Sequence, residues 1–192
     1  QDAYEEFSKI APTVFLEVDT QDYMNSFEEN VTTLAKIFEK EAEAEEHLAE
    51  VKADVEALNE KVSAKDEEAL IVLANDGKVS AYGSGSRFGI IHDEFGFPES
   101  DENIEASTHG QSVSFEYIVE QDPDYLFVID RGAVVGGQSS AQQVVENELT
   151  EKTKAYQNDQ IIYLNPDFWY LSGGGLVSVS EMVKEVESVI EE

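Results

Sequence analysis

The sequence predicts an α/β fold, an open parallel sheet flanked by helices, and three observations carry that prediction. Residues 69–74 form an unbroken apolar run, the mark of a strand buried on both faces. Residues 124–130 and 160–164 repeat that character. Helical stretches lie between and after these runs, around residues 88–95, 115–120 and 141–148. Residues 176–190 close the chain as an amphipathic helix through Val179, Met182, Val183, Val186 and Ile190. Strand–helix alternation of this kind gives a parallel sheet, and such sheets bind ligands beyond the carboxyl ends of their strands.

The first third of the chain reads differently. Residues 10–16 are a short β-rich run with no neighbouring hairpin partner. From Phe27 to about Val62 apolar residues recur at threes and fours, through Val31, Leu34 and Phe38 and then Leu48, Val51, Val55 and Leu58. One helix of that length would run about 50 Å. Its middle is Glu, Ala and Lys with few apolar anchors, as suits a strut between two bodies, although a solvated helix face is the plainer alternative. The chain therefore divides into a leading remnant (1–26), a long connecting helix (27–64) and an α/β unit (65–192).

Composition narrows the function. Twelve Lys and Arg stand against 42 Asp and Glu, a formal charge of −30. Such a surface repels nucleic-acid phosphate and anionic lipid head groups. Without cysteine, thiol nucleophiles, thiolate zinc sites and disulfides are all excluded. No apolar run approaches the roughly 20 residues of a membrane-spanning helix. The chain opens at Gln1 with no basic-then-apolar leader, which reads as a processed or truncated product.

The chemistry lies in the loops. Only two arginines are present, Arg87 in Tyr82-Gly83-Ser84-Gly85-Ser86-Arg87-Phe88-Gly89 and Arg131 in Val128-Ile129-Asp130-Arg131-Gly132. Each follows a strand, and a guanidinium offers a fixed fork of donors to oxyanions or catecholate oxygens. The alternative is a structural ion pair, for instance Arg131 with Asp130. His109, in Ser107-Thr108-His109-Gly110-Gln111-Ser112, and Tyr170, in Phe168-Trp169-Tyr170-Leu171, sit in comparable loops. A solvated histidine and a packing tyrosine are the plain readings. Convergence of four such groups in one sheet argues for a shared ligand, and imidazole and phenolate both suit Fe(III). Gly173-Gly174-Gly175 could offer backbone N–H groups to an anion, or form a turn.

Enzymatic motifs fail. Gly83, Gly85 and Gly89 miss the dinucleotide-binding spacing by one residue, and no Gly-Lys-Ser/Thr triplet occurs. Gly110-Gln111-Ser112-Val113-Ser114 breaks the nucleophile-elbow pattern at its last position.

The segments Val79-Ser80-Ala81-Tyr82-Gly83-Ser84-Gly85-Ser86-Arg87-Phe88-Gly89, Ser107-Thr108-His109-Gly110-Gln111-Ser112 and Phe168-Trp169-Tyr170-Leu171-Ser172-Gly173-Gly174-Gly175 resemble the C-terminal lobe of ferric-catecholate-binding proteins, those for petrobactin-type siderophores above all. The resemblance runs from about Ala3 to the C-terminus. It implies a Rossmann-like C-terminal lobe of a two-lobed, helix-linked periplasmic-binding-protein fold. It further implies a non-enzymatic carrier that delivers ferric siderophores to an ABC permease, with no intrinsic cofactor. Arg87 and Arg131 match arginines that contact the anionic complex. His109 and Tyr170 match a pair that completes iron coordination when the siderophore supplies four oxygens. Glu116 matches a surface glutamate that docks on permease arginines, where a solvated glutamate at a helix start is the plainer alternative. An N-terminal lobe, with a lipoprotein anchor and an extracytoplasmic location for the full-length protein, would lie beyond this chain. A cobalamin or haem carrier of the same fold is the alternative, and a chelatase-like enzyme or an acidic structural module stands further off.

Overall fold

A computed structural model describes residues 3–137 and 140–190. The apolar run at residues 69–74 becomes β1 (Ala69–Asn75), the centre of a five-stranded sheet in the order β3-β2-β1-β4-β5. β4 (Tyr125–Asp130) and β5 (Ile161–Leu164) extend it in parallel on one side. On the other side lie β2 (Lys78–Tyr82) and β3 (Gln111–Val113), paired antiparallel to β1 and to β2 respectively. Between β1 and β2, Asp76 and Gly77 take positive φ angles of 47° and 78°. That two-residue turn matches the twist of a hairpin. The sheet is thus mixed: β2 runs against the other four strands.

Helices cover both faces. The chain enters through α1 (Tyr4–Ser8), α2 (Tyr23–Phe38) and α3 (Glu41–Ser63). The short α4 (Ile90–Asp93) follows β2, and α5 (Phe115–Gln121) follows β3. After β4 come α6 (Arg131–Val135), α7 (Ala141–Val145), a 3-10 turn at Thr150–Lys152 and α8 (Lys154–Gln157). A π-helical turn, Asp167–Leu171, follows β5, and α9 (Leu176–Ile190) closes the fold. Strand side chains alternate between faces. Ile71 and Leu73 pack with α2, α3 and α9, whereas Leu70, Val72 and Ala74 pack with α5, α7 and α8.

Two expectations give way here. The single helix expected over 27–64 is two helices that start at Tyr23 and break at Glu39, whose φ is 55°. The Glu39 and Lys40 N–H groups both turn back to the Ala35 carbonyl, closing α2. The bend lets Phe27, Val31 and Ala35 of α2 and Leu48, Val51 and Val55 of α3 share one core. A straight rod would carry one of those faces off it. Leu34 and Phe38, read as anchors, are 41% and 68% exposed. Residues 10–16 form no strand, for no neighbouring edge accepts them; Ile10, Val14 and Phe15 remain exposed. Among the described residues, no helix is long and apolar enough to cross a membrane.

Candidate ligand-binding site

Trp169 fixes the loop after β5. It is 3% exposed, packs edge-on to Phe95, and donates its indole N–H to Glu185 Oε2 at 2.7 Å. Glu185 Oε1 accepts the Asn165 N–H at 2.9 Å, so one carboxylate of α9 holds both ends of this turn. Its neighbour Tyr170 is left to project from the core.

Tyr170 meets both arginines. Arg131 donates Nε–H to the Tyr170 hydroxyl at 2.7 Å. Arg87 donates to the Tyr170 main-chain carbonyl at 2.5 Å, and its Cζ stacks 4.2 Å from the phenol ring centre. The Arg131 hydrogen bond and the two positive charges lower the Tyr170 pKa. Tyr82, on the floor, shifts upward because burial disfavours its phenolate. Two phenols in one cavity are therefore driven apart, and Tyr170 is the one disposed to ionise.

The arginine environments are built locally. Asp130 caps α6 by accepting from Ala133 N–H at 3.0 Å and also accepts Ala141 N–H at 2.8 Å. It is spent on backbone, and the Arg131–Asp130 ion pair weighed from sequence does not form. Arg87 ends a turn held by Asp93, which accepts the Ser84 hydroxyl and, at 2.8 Å, the Gly85 N–H. Thr20 Oγ1 donates to the Gly85 carbonyl at 2.9 Å from the other side. Among the described residues, neither arginine has a carboxylate within salt-bridge distance.

Arg87, His109, Arg131 and Tyr170 all line one cavity of about 480 Å³, so the four sequence-predicted residues come together. The reasons differ. Arg131 and Tyr170 follow β4 and β5, as the carboxyl-end rule requires. β2 runs the other way, and Arg87 reaches Tyr170 through its side chain and the clamped turn. His109 precedes β3 rather than following a strand, and it is exposed. It is aimed by Gly110, whose φ is +70° and whose missing Cβ would stand 2.7 Å from the Tyr82 ring. Glu116 lies apart, exposed in the first turn of α5, its carboxylate favoured by its own N–H and by the Ser114 hydroxyl. Gly173–175 flank a different, largely apolar groove of about 720 Å³ against Leu16, Val31, Leu34 and Phe38. Sequence reasoning passed over Lys78, Asn75 and Ser80, which also line the Arg87–Tyr170 cavity; the Asp76-Gly77 hairpin signal could have found them. No group of three or more His, Asp or Glu side chains among the described residues could hold a resident metal.

The mixed sheet thus carries, beside its carboxyl ends, one cavity that brings together two arginines, a lysine, a histidine and two phenols. The chain belongs to the periplasmic binding protein family, whose model matches residues 1–168. It is 50% identical over 190 residues to the petrobactin-binding protein YclQ of Bacillus subtilis (strain 168), covering 99% of this chain and 60% of that protein. It is 33% identical to the ferric-anguibactin-binding protein FatB of Vibrio anguillarum, covering 95% of this chain and 58% of that one. The crystal structure of YclQ superposes with a TM-score of 0.96 at 49% identity, over 100% of this chain and 67% of its own. The siderophore-binding protein BauB, bound to two acinetobactin molecules and ferric iron, gives 0.87 at 32% identity over 98% and 67%. The chain thus spans about 60% of the length of these curated relatives.

Proposed function

We propose that this chain is the C-terminal lobe, with its connecting helices, of a substrate-binding protein that captures ferric catecholate siderophores for an ABC importer. One observation carries the reading. In a chain with 42 acidic residues, none of those among the described residues lines the cavity around Tyr170, which gathers both arginines and a lysine. Such a wall suits a bulky anion, and the names of the relatives identify bound ferric chelates as a class.

Each residue takes a role. Arg87 and Arg131 supply countercharge to the chelate, and the Tyr170 ring gives a flat face for catecholate stacking. With a siderophore that leaves two iron positions open, His109 nitrogen and Tyr170 phenolate complete the coordination. Iron is cargo here, and the role is carriage without catalysis. Residues 65–192 form the binding lobe, and residues 1–26 end a preceding lobe that supplies the opposite wall. The exposed apolar side chains Ile10, Val14 and Phe15 suit burial against that lobe. Glu116, exposed and ionised, docks the lobe on cationic loops of a membrane permease. The full-length protein works outside the cytoplasmic membrane.

The test is quenching of Trp169 fluorescence on titration of the full-length protein with a ferric bis-catecholate. Saturable quenching that weakens about tenfold or more in Arg131→Ala supports the reading. Saturable quenching that Arg87→Ala and Arg131→Ala leave unchanged places the chelate elsewhere and overturns it.

A further inference from the structure

The glycine-rich turn between β2 and α4 misses the dinucleotide-binding spacing, and its donors face carboxylates of the same chain. Glu99 Oε1 accepts the Ser84 N–H at 2.7 Å. Asp93 accepts the Gly85 N–H at 2.8 Å together with the Ser84 hydroxyl. Successive N–H groups in such a turn form a concavity that suits an anion. Two side chains fill it here, so the Ser84 and Gly85 donors are already spent. The glycines follow from that filling. A Cβ at Gly83 would stand 2.5 Å from Glu99 Oε1, and one at Gly89 would stand 2.7 Å from Asp93 Oδ2.

The two carboxylates differ in footing. Asp93 belongs to α4, a four-residue helix that continues from the turn itself. Glu99 stands on the sheet. Ala69, the first residue of β1, donates its N–H to the Pro98 carbonyl at 2.9 Å and accepts the Ser100 N–H at 3.1 Å. That pairing holds Glu99 from both sides. Among the described residues, neither Asp93 nor Glu99 has a lysine or arginine within salt-bridge distance. Two like charges set against one turn repel each other, and the backbone N–H groups they share offset that repulsion.

We propose that Glu99 is a positioning residue for Arg87, because it ties the turn that carries this arginine to the central strand. The proposal rests on the chelate-binding reading given above and adds to it a residue outside the cavity wall. Arg87 follows Ser84 by three residues, and its guanidinium reaches the Tyr170 carbonyl at 2.5 Å. A long side chain amplifies any shift at its base. A loose turn would therefore spread the guanidinium over several positions, and binding would have to order it. With Glu99 in place, that order exists before the ligand arrives.

The test is a double-mutant cycle in the full-length protein, read by Trp169 quenching with a ferric bis-catecholate. Glu99→Ala is expected to weaken binding about tenfold. Glu99→Gln keeps an acceptor for the Ser84 N–H and should restore binding to within about twofold of wild type. In an Arg87→Gln background Glu99→Ala should change affinity less than about twofold, whereas in an Arg131→Gln background the full loss should return. An equal loss in both backgrounds assigns Glu99 to general stability and overturns the proposal, as does Glu99→Ala that binds like wild type. Should Glu99→Ala fail to fold, Glu99→Asp, one methylene short of Ser84, takes its place in the cycle. A measurement without ligand separates this proposal from the reading it rests on. NMR relaxation at Arg87 Nε, assigned by its loss in Arg87→Gln, should show a looser guanidinium in Glu99→Ala and not in Glu99→Gln. Wild type that binds no probe overturns the chelate reading, and unchanged relaxation in Glu99→Ala overturns the positioning role whatever the probe does.

Discussion

Arg131 donates its Nε–H to the Tyr170 hydroxyl at 2.7 Å, so a cation and no carboxylate governs that phenol. The consequence is a pKa below the ordinary tyrosine range, with this hydrogen bond as the leading cause. Replacing Arg131 by Gln should raise it back toward the usual value. The difference between phenolate absorbance titrations of wild type and Tyr170→Phe isolates this one group, and repeating the pair in the Arg131→Gln background measures the rise. Iron capture that uses the phenolate then needs higher pH in the variant than in wild type.

Asp93 stands one step behind Arg87. Its carboxylate takes the Ser84 hydroxyl and the Gly85 N–H, while Thr20 holds the Gly85 carbonyl from the opposite side. Asp93→Ala should cost about 2 kcal/mol by leaving those donors unmatched, and Thr20→Ala about 1 kcal/mol. Because the turn carries Arg87, amide exchange at Gly85 should quicken and chelate affinity should fall about tenfold in Asp93→Ala. Lost stability with unchanged affinity would show that Arg87 keeps its place without the clamp.

Much of this arrangement was legible in the sequence, and the illegible parts share a cause. The unbroken apolar run at 69–74 and the apolar centre of 124–130 read as doubly buried strands, and they lie in the interior of the sheet. Arg131 and Tyr170 then fell in place by the carboxyl-end rule. Arg87 and His109 reach the same cavity through an antiparallel hairpin and a glycine that passes over Tyr82, neither of which follows from strand–helix alternation. The break at Glu39 left no Gly or Pro behind it. A left-handed glutamate is imposed by tertiary packing on both sides, and helical periodicity alone carries no trace of that.

Glu185 joins the last helix to the site. Burial, its largest influence, raises its pKa, while the Trp169 and Asn165 N–H donors pull it back down. A carboxyl raised in the folded state gives stability that is full below the unfolded pKa and lost as pH rises through the folded one. The stability of wild type minus that of Glu185→Gln should therefore fall as pH climbs through that window. Glu185→Ala removes both acceptors, leaves a buried indole N–H unmatched, and should cost about 2 kcal/mol at neutral pH. Urea melts followed by Trp169 fluorescence measure both effects.

The bend between α2 and α3 gives a prediction whose sign decides the matter. Glu39 holds a φ of 55°, a conformation that costs a side-chain-bearing residue about 1–2 kcal/mol and costs glycine little. Its side chain is exposed, so replacement removes no packing. If the two helices are distinct, Glu39→Gly relieves the left-handed strain and should stabilise the chain by about 1 kcal/mol, as at an ordinary helix C-terminus. If residues 27–64 formed one continuous helix instead, the same glycine would sit in its interior and destabilise by about 1 kcal/mol. Chemical denaturation of the two proteins separates the outcomes. A gain places the elbow in the fold itself, where it turns the faces carrying Phe27 and Leu48 into one core behind the arginine cavity.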